Sequence, residues 1–303
     1  LIILNKHRTP LAYFALICGI LALSLSALFV RWAQAPGIVT ACFRMLIASI
    51  FLFPFFLKQS KQVKKSLFRW WYLPLLGGLF TAFDHGFWST SIEFTQVSNA
   101  TLFNNLAPLW VALIAIFIWK EKLGKWFWLG LFFTLTGAIV VLGTNLLSRP
   151  EFSGGDSLAI ISSFFYAAYF LNTQRSRQYL STISYIWSVT FICGVILLIA
   201  CLISGYSFIG YTRETYYSFL GAALISQVIG YFSVGYALGH LPASIVSPTM
   251  ITQPVITALM AIPLAGESLI TGQWLGGLIT LFGIYLINRS WNIVKSPRKV
   301  RVN

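Results

Sequence analysis

The sequence predicts an all-α integral membrane protein of ten transmembrane helices, arranged as two inverted five-helix repeats. Composition, an internal duplication and the placement of basic residues carry this prediction. Of the 303 residues, 57% are hydrophobic and 9% charged, and the mean hydropathy is +0.78. A soluble domain needs a far more charged exterior. Shifted by 146 residues the chain overlays on itself, most clearly over 96–139. There Ser98, Pro108, Ala112, Leu113, Ala115, Ile116, Glu121, Leu123, Trp128, Leu129, Gly130, Thr134, Leu135 and Gly137 meet Ser244, Pro254, Ala258, Leu259, Ala261, Ile262, Glu267, Leu269, Trp274, Leu275, Gly276, Thr280, Leu281 and Gly283.

A crossing takes about 20 helical residues, and the apolar runs supply ten in order. The first, 11–31, follows Lys6 and Arg8 and ends on Arg31; without a small-residue cleavage site, and with nine spans after it, it is not a removable signal. The second, 36–57, opens into the basic stretch Lys58 to Arg69, and the third, 70–93, follows that stretch. The fourth and fifth, 97–119 and 126–146, flank Lys120, Lys122 and Lys125. The sixth, 156–174, ends before Arg175 and Arg177, and the seventh is 182–204. Residues 215–266 contain no Asp, Glu, Lys or Arg; as one helix they would reach roughly 78 Å, too long for one crossing. They divide at Gly239-His240-Leu241-Pro242 into 216–238 and 243–265, because Gly and Pro punctuate helices. The tenth span is 270–289. The domain reading is a first repeat over 1–146, a connector over 147–155, a second repeat over 156–290 and a basic tail over 291–303.

With both termini cytoplasmic, 17 of the 21 basic residues fall on the inner side, as the positive-inside rule requires. This predicts a multi-pass protein of the cytoplasmic (inner or plasma) membrane. The net charge of +14 therefore belongs to short inner loops, and a nucleic-acid partner is not expected. Anionic lipid headgroups are the expected contact, particularly for Lys58 to Arg69 and the tail from Lys295. Cys18, Cys42, Cys193 and Cys201 all lie within spans; their spacing suits neither a metal nor a disulfide framework. No cofactor is expected.

Five spans per copy is an odd number, so two copies in one chain enter the bilayer from opposite sides. Glu121 then lies on the cytoplasmic side and its counterpart Glu267 outside. Gly130 with Gly137, and Gly276 with Gly283, lie seven residues apart near one helix face and permit close helix contact. Pro108 and Pro254 fall inside the fourth and ninth spans, where each favours a kink that serves as a static bend or as a gate hinge.

Ionisable groups within spans are costly and need a reason. Arg44 lies about eight residues, ~12 Å, below the outer end of its span, Asp84 ~15 Å, and Asn104 and Asn105 ~11 Å. Four strong hydrogen-bonding side chains share one level. His85, next to Asp84, is directed about 100° away around the helix. In one account Arg44 and Asp84 form a fixed ion pair holding two helices together; in the other they contact a charged substrate or exchange a proton. The counterparts 146 residues on are uncharged Thr190, Gly230, Met250 and Ile251, so any site is asymmetric on a symmetric scaffold. Trp88 joins the candidate binding residues. The second half offers Tyr166, Tyr169, Asn172, Gln227, Tyr231, Thr249, Thr252 and Gln253, a lining that suits a small organic ligand or, in the plainer reading, a set of interhelical hydrogen bonds.

The stretch DHGFWSTSIEFTQVSNATLFNNLAPLW at 84–110, Glu121, and WFWLGLFFTLTGAIVVL at 126–142 resemble the fourth and fifth spans of EamA-type proteins of the drug/metabolite transporter superfamily. The second copy, SIVSPTMITQPVITALMAIPLAGESL then WLGGLITLFGIYLI, resembles them equally, and RWAQAPGIVTACFRMLIAS at 31–49 is similar to the family's second span with its membrane Arg, here Arg44. The resemblance implies a secondary transporter, with export of amino acids or other small metabolites in many members, and it implies Asp84 and Asn104 as site positions. The expected function is therefore alternating-access movement of a small metabolite, outward and with proton coupling as a variant, by a monomer or homodimer that is not an enzyme. A lipid flippase and a membrane-embedded acyl-transferase-type enzyme are the alternatives; the second lacks a His/Cys or paired-carboxylate constellation at one depth.

Overall fold

The computed structural model describes residues 9–95, 97–142, 152–265 and 271–295, and every regular element among them is helical. The elements are α1 Thr9–Ser24, α2 Ser26–Ala33, α3 Gly37–Leu57, α4 Lys61–Arg69, α5 Tyr72–Phe94, α6 Val97–Asn104, α7 Ala107–Phe117, α8 Lys125–Leu142, α9 Gly154–Ser176, α10 Thr182–Ile203, α11 Arg213–Gly221, a π-helical stretch Ala222–Tyr231, α12 Phe232–Leu238, α13 Ala243–Met250, α14 Thr252–Ala265 and α15 Thr271–Lys295. Lys6, Arg8, Arg149, Glu267 and most of the connector and basic tail lie outside the described residues.

Among the described residues, seven helical runs are long and apolar enough to cross a membrane: Thr9–Ala33, Gly37–Leu57, Asn99–Phe117, Lys125–Leu142, Thr182–Ile203, Arg213–Leu238 and Ala243–Met260. Helices also stand at the other three predicted positions, α5 and α9 with 23 residues each and α15 with 25. These three are diluted by polar residues, including Asp84 in α5, Ser162 and Asn172 in α9 and Asn288 in α15.

Several predicted continuous spans are interrupted. The first breaks at Leu25 between α1 and α2, the fourth at Asn105-Leu106 and the ninth at Ile251. Proline supplies the reason in the last two: Pro108 enters the first turn of α7, and Pro254 stands three residues into α14, where its missing N–H belongs to the unsatisfied set of a new helix rather than to an interior turn. The breaks at 105–106 and 251 are separated by the repeat shift, so both copies bend at one place. The basic stretch after the second span also differs from expectation. Its residues form α4, whose first turn is capped by Ser60, with Val63 N–H donating to Ser60 Oγ at 3.4 Å.

The halves interlock. The most extensive helix contacts join the first half to the second: α8 to α15, α5 to α9, α3 to α10, and α1 to the π-helical stretch and α12. The α8/α15 contact rests on the duplicated small residues. A Cβ on Gly130 would stand 2.6 Å from Gly283 O, and one on Gly276 would stand 2.8 Å from Gly137 O. These contacts are equivalent under the 146-residue shift. Early α8 meets late α15 and late α8 meets early α15, so the two copies of this helix pack antiparallel through the same residues.

Hydroxyls fasten other helix pairs. Thr215 Oγ1 donates to Ala33 O at 2.8 Å, Thr257 Oγ1 to Ser24 O at 2.8 Å and Ser226 Oγ to Ala22 O at 3.2 Å. The acceptors all lie on the interrupted first span.

A Cβ at Gly137 would fall 2.5 Å from Thr280 N and 2.6 Å from Gly276 O, so backbone must move. Gly137→Ala is expected to lower stability by about 1–3 kcal/mol, measured as thermal unfolding in detergent. Gly86→Ala, with nothing within 4 Å of the new methyl, is expected to raise it by about 0.5–1 kcal/mol.

Candidate functional site

Two polar clusters lie between the halves, one around each intramembrane charge. Arg44 projects from α3 and is 8% exposed. Its Nε donates to Gln227 Oε1 at 3.2 Å, its NH1 donates to Ser26 Oγ at 2.9 Å, and its guanidinium carbon lies 5.3 Å from the centre of the Tyr231 ring. Local irregularity presents two of these partners. Ser26 opens α2 just past the break at Leu25, and Gln227 and Tyr231 lie on the π-helical stretch, whose wider turns are a common device at functional positions. Gln227 Nε2 also donates to Thr190 Oγ1 at 3.2 Å. One amide thus bridges Arg44 and the residue that occupies the same place in the second copy.

Asp84, 6% exposed, projects from the middle of α5. Its Oδ1 accepts from Ser162 Oγ at 2.6 Å and from Asn104 Nδ2 at 3.1 Å, while Asn104 Nδ2 lies 2.7 Å from Ser162 Oγ. Asn104 is the last residue of α6, so the helix break leaves its amide directed at α5 and α9. His85 does not point away as the helical wheel predicts. Its Nδ1 folds back to 3.6 Å from Asp84 Oδ2, and its Nε2 is buried without a hydrogen-bond partner among the described residues.

Arg44 and Asp84 make no ion pair within 4 Å among the described residues, so of the two accounts the direct pair is not the arrangement in this structure. Each charge is instead satisfied by neutral groups, and at least one in each set comes from the other half. Tyr166 lies within electrostatic reach of Asp84, Tyr231 and Tyr169, and Tyr169 packs edge-on against Tyr231 with centroids 5.7 Å apart. These tyrosines connect the two clusters through α9 and the π-helical stretch.

The remaining predicted residues separate. Asn105 turns back, Nδ2 donating to Thr101 O at 3.0 Å, and Thr252 Oγ1 donates to Thr249 O at 2.7 Å. Among the described residues neither bonds to either cluster, nor does half-buried Gln253. Trp88 is half-buried one turn beyond Asp84, with its carbonyl accepting from Ser91 Oγ. Asn172 belongs to another network, donating to Leu73 O at 2.9 Å and to Tyr185 Oη at 3.1 Å. Pro108 and Pro254 are buried at the helix breaks.

Sequence reasoning missed Ser162 and Ser26. The signal for Ser162 was its spacing of four from Tyr166, which places both on one face of α9; Ser26 had none before the break at Leu25 was seen. It also missed that Glu121 crosses to the second half. Ser244 Oγ, at the start of α13, donates to Glu121 Oε2 at 2.9 Å. Burial raises the Glu121 carboxyl above the usual glutamate range, and the Ser244 hydrogen bond opposes that shift.

A fold of long apolar helices with two charged clusters held between its halves is that of a multi-pass membrane protein. The EamA-like transporter family model matches residues 10–143 and again residues 153–289. The chain belongs to this family, within the drug/metabolite transporter superfamily. It is 25% identical over 253 residues to an uncharacterized transporter of Archaeoglobus fulgidus, covering 81% of this chain and 86% of that one. It is also 25% identical over 275 residues to the uncharacterized transporter YdfC of Bacillus subtilis, covering 84% and 86%. A crystal structure 15% identical in sequence superposes with a TM-score of 0.79, over 94% of this chain and 99% of that chain; the likeness is one of fold.

Ser162→Ala removes the shortest hydrogen bond to the Asp84 carboxylate and is expected to cost about 1–3 kcal/mol, read as a lower melting temperature. The burial of Glu121 is tested through pH. Because its folded pKa is raised, its contribution is fully present below the unfolded value and is lost as pH rises through the folded one. The melting temperature of the wild type minus that of Glu121→Gln is therefore expected to fall as pH rises across that window.

Proposed function

We propose that this protein is a secondary transporter of ten spans in two inverted repeats, moving amino acids or similar small metabolites outward across the cytoplasmic membrane by alternating access. The observation that carries this reading is the separation of the two charges. Arg44 and Asp84 are buried between the halves, within reach of each other's fields, yet each is held by neutral donors and acceptors rather than by the other. A purely structural pair would gain most by direct contact. Two opposed charges kept apart, with tyrosines between them, offer complementary ends to a zwitterion: a carboxylate at Arg44 and an ammonium at Asp84.

Antiparallel packing of α8 on α15 through duplicated residues supports the inverted arrangement, since one element in two copies then runs in opposite directions. The paired breaks near Pro108 and Pro254 supply hinges at equivalent places, and Glu121–Ser244 ties the halves together at one end. Asp84 is also the proton carrier in a coupled cycle, with His85, Tyr166 and Arg44 as the ionisable groups acting on it.

Proteoliposomes loaded with labelled amino acids, with and without a pH gradient, test this. Wild type is expected to release solute, Arg44→Gln and Asp84→Asn to lose rate by about tenfold or more, and the double variant to remain inactive. Restored activity in the double variant would return the pair to a structural role. Scrambling of fluorescent lipid without solute movement would mark a flippase.

A further inference from the structure

We infer that the outward face of α4 is a binding surface for anionic phospholipid headgroups, built onto one side of the duplicated fold alone. The helix is amphipathic in an inverted sense. Val63, Ser66 and Leu67 turn inward and are half-buried, while Lys61, Lys65, Phe68 and Arg69 are exposed. Lys61, Lys65 and Arg69 are spaced by four residues and form one stripe along the helix. No acidic residue occurs between Lys58 and Trp71. Lys64 turns back, with Nζ donating to Leu57 O at 2.8 Å, and Lys61, Lys65 and Arg69, the last with its guanidinium carbon 5.7 Å from the centre of the Trp70 ring, form the exposed set.

This face is fixed in place. Ser66 Oγ donates to Tyr179 O at 2.8 Å, Trp70 stacks on Tyr179 with centroids 4.1 Å apart, and Ser181 Oγ donates to Gln59 Oε1 at 3.3 Å. The segment is thus clamped to the second half rather than hanging as a loop.

The occupant follows from what lies among the cations. Phe68 is 85% exposed within the basic stripe, and Trp71 is 60% exposed just beyond it. Phe55 and Leu57 continue the exposed apolar surface down α3, a helix apolar enough to cross a membrane. Apolar side chains continuous with a membrane-facing helix and bordered by cations fit the boundary between headgroup and acyl chain, and a row without counter-charge fits an anionic headgroup.

The second copy provides an internal comparison. Lys61, Lys64, Lys65 and Arg69 correspond to Ser207, Gly210, Tyr211 and Thr215; in the counterpart segment 207–215 only 213–215, the start of α11, is helical, and its one cation, Arg213, is followed by Glu214. The cationic helix is therefore an addition at one membrane face and no requirement of the fold.

Native mass spectrometry of the full chain in detergent, with equal amounts of phosphatidylglycerol and phosphatidylcholine, tests the assignment. The wild type is expected to retain phosphatidylglycerol with about tenfold preference. Lys61→Gln/Lys65→Gln/Arg69→Gln is expected to bring the preference near parity, and Phe68→Ser to weaken retention of both lipids. Lys120→Gln/Lys122→Gln/Lys125→Gln removes equal charge elsewhere and is expected to keep the preference. Should the triple variant not fold, Lys65→Glu alone is expected to abolish most of it. Equal retention of the two lipids by wild type, a preference surviving in the α4 variants, or equal loss in the control overturns the assignment. Displacement by glycerol phosphate would reassign the face to a soluble anion and overturn it too.

Discussion

A buried charge in hydrocarbon must be surrounded by groups that can share it, and this requirement shapes how the two halves meet. Arg44 takes Gln227 and Tyr231 from the second half, and Asp84 takes Ser162. Both charges belong to the first half, which supplies Ser26 and Asn104 to them, and the second half completes each shell. The interlocking of α3 with α10 and of α5 with α9 is therefore electrostatic in its purpose as well as apolar in its substance. The irregular backbone follows from the same need: the break before Ser26, the break after Asn104 and the π-helical stretch each present a polar side chain that a straight helix would direct elsewhere. Irregular backbone at membrane depth is tolerated where it is covered by protein.

The scaffold and the clusters divide along the duplication. Gly130, Thr134 and Gly137 recur as Gly276, Thr280 and Gly283 and form a contact that each copy makes with the other. Asp84, by contrast, corresponds to Gly230, whose Cβ position lies 2.8 Å from Leu23 Cγ. Where the first half opens to hold a carboxylate, the second closes tightly on α1. Divergence at that one position exchanges a polar cluster for close packing.

Helix positions were legible in the sequence because apolar length and basic flanks are local properties; α3, α8 and α10 begin and end within a few residues of expectation. The breaks were legible only in part. Pro108 and Pro254 announced two of them, but nothing near Leu25 announced the first, where the Ser24 carbonyl accepts from Thr257 of a distant helix. Among site residues Arg44, Asp84 and Asn104 stood out as polar in apolar runs. Asn105 stood out equally and turned back to its own helix, a choice set by where the break falls. Ser162 was hidden because a serine in a span is unremarked until a carboxylate faces it. The α4 helix was hidden by its charge, since a run of lysines reads as loop until Ser60 is recognised as a cap.

The amide of Gln227 touches two residues that the duplication makes equivalent, Arg44 and Thr190. In an assembly of two identical five-span chains both places would hold the same side chain. Two guanidinium groups would then stand near one another and repel, while two threonines would leave no cation at all. A single arginine at this point exists only once the copies are free to differ. Holding both copies in one polypeptide thus does more than fix stoichiometry: it permits a lone cation where α3 meets the π-helical stretch, and with it two polar clusters of opposite sign.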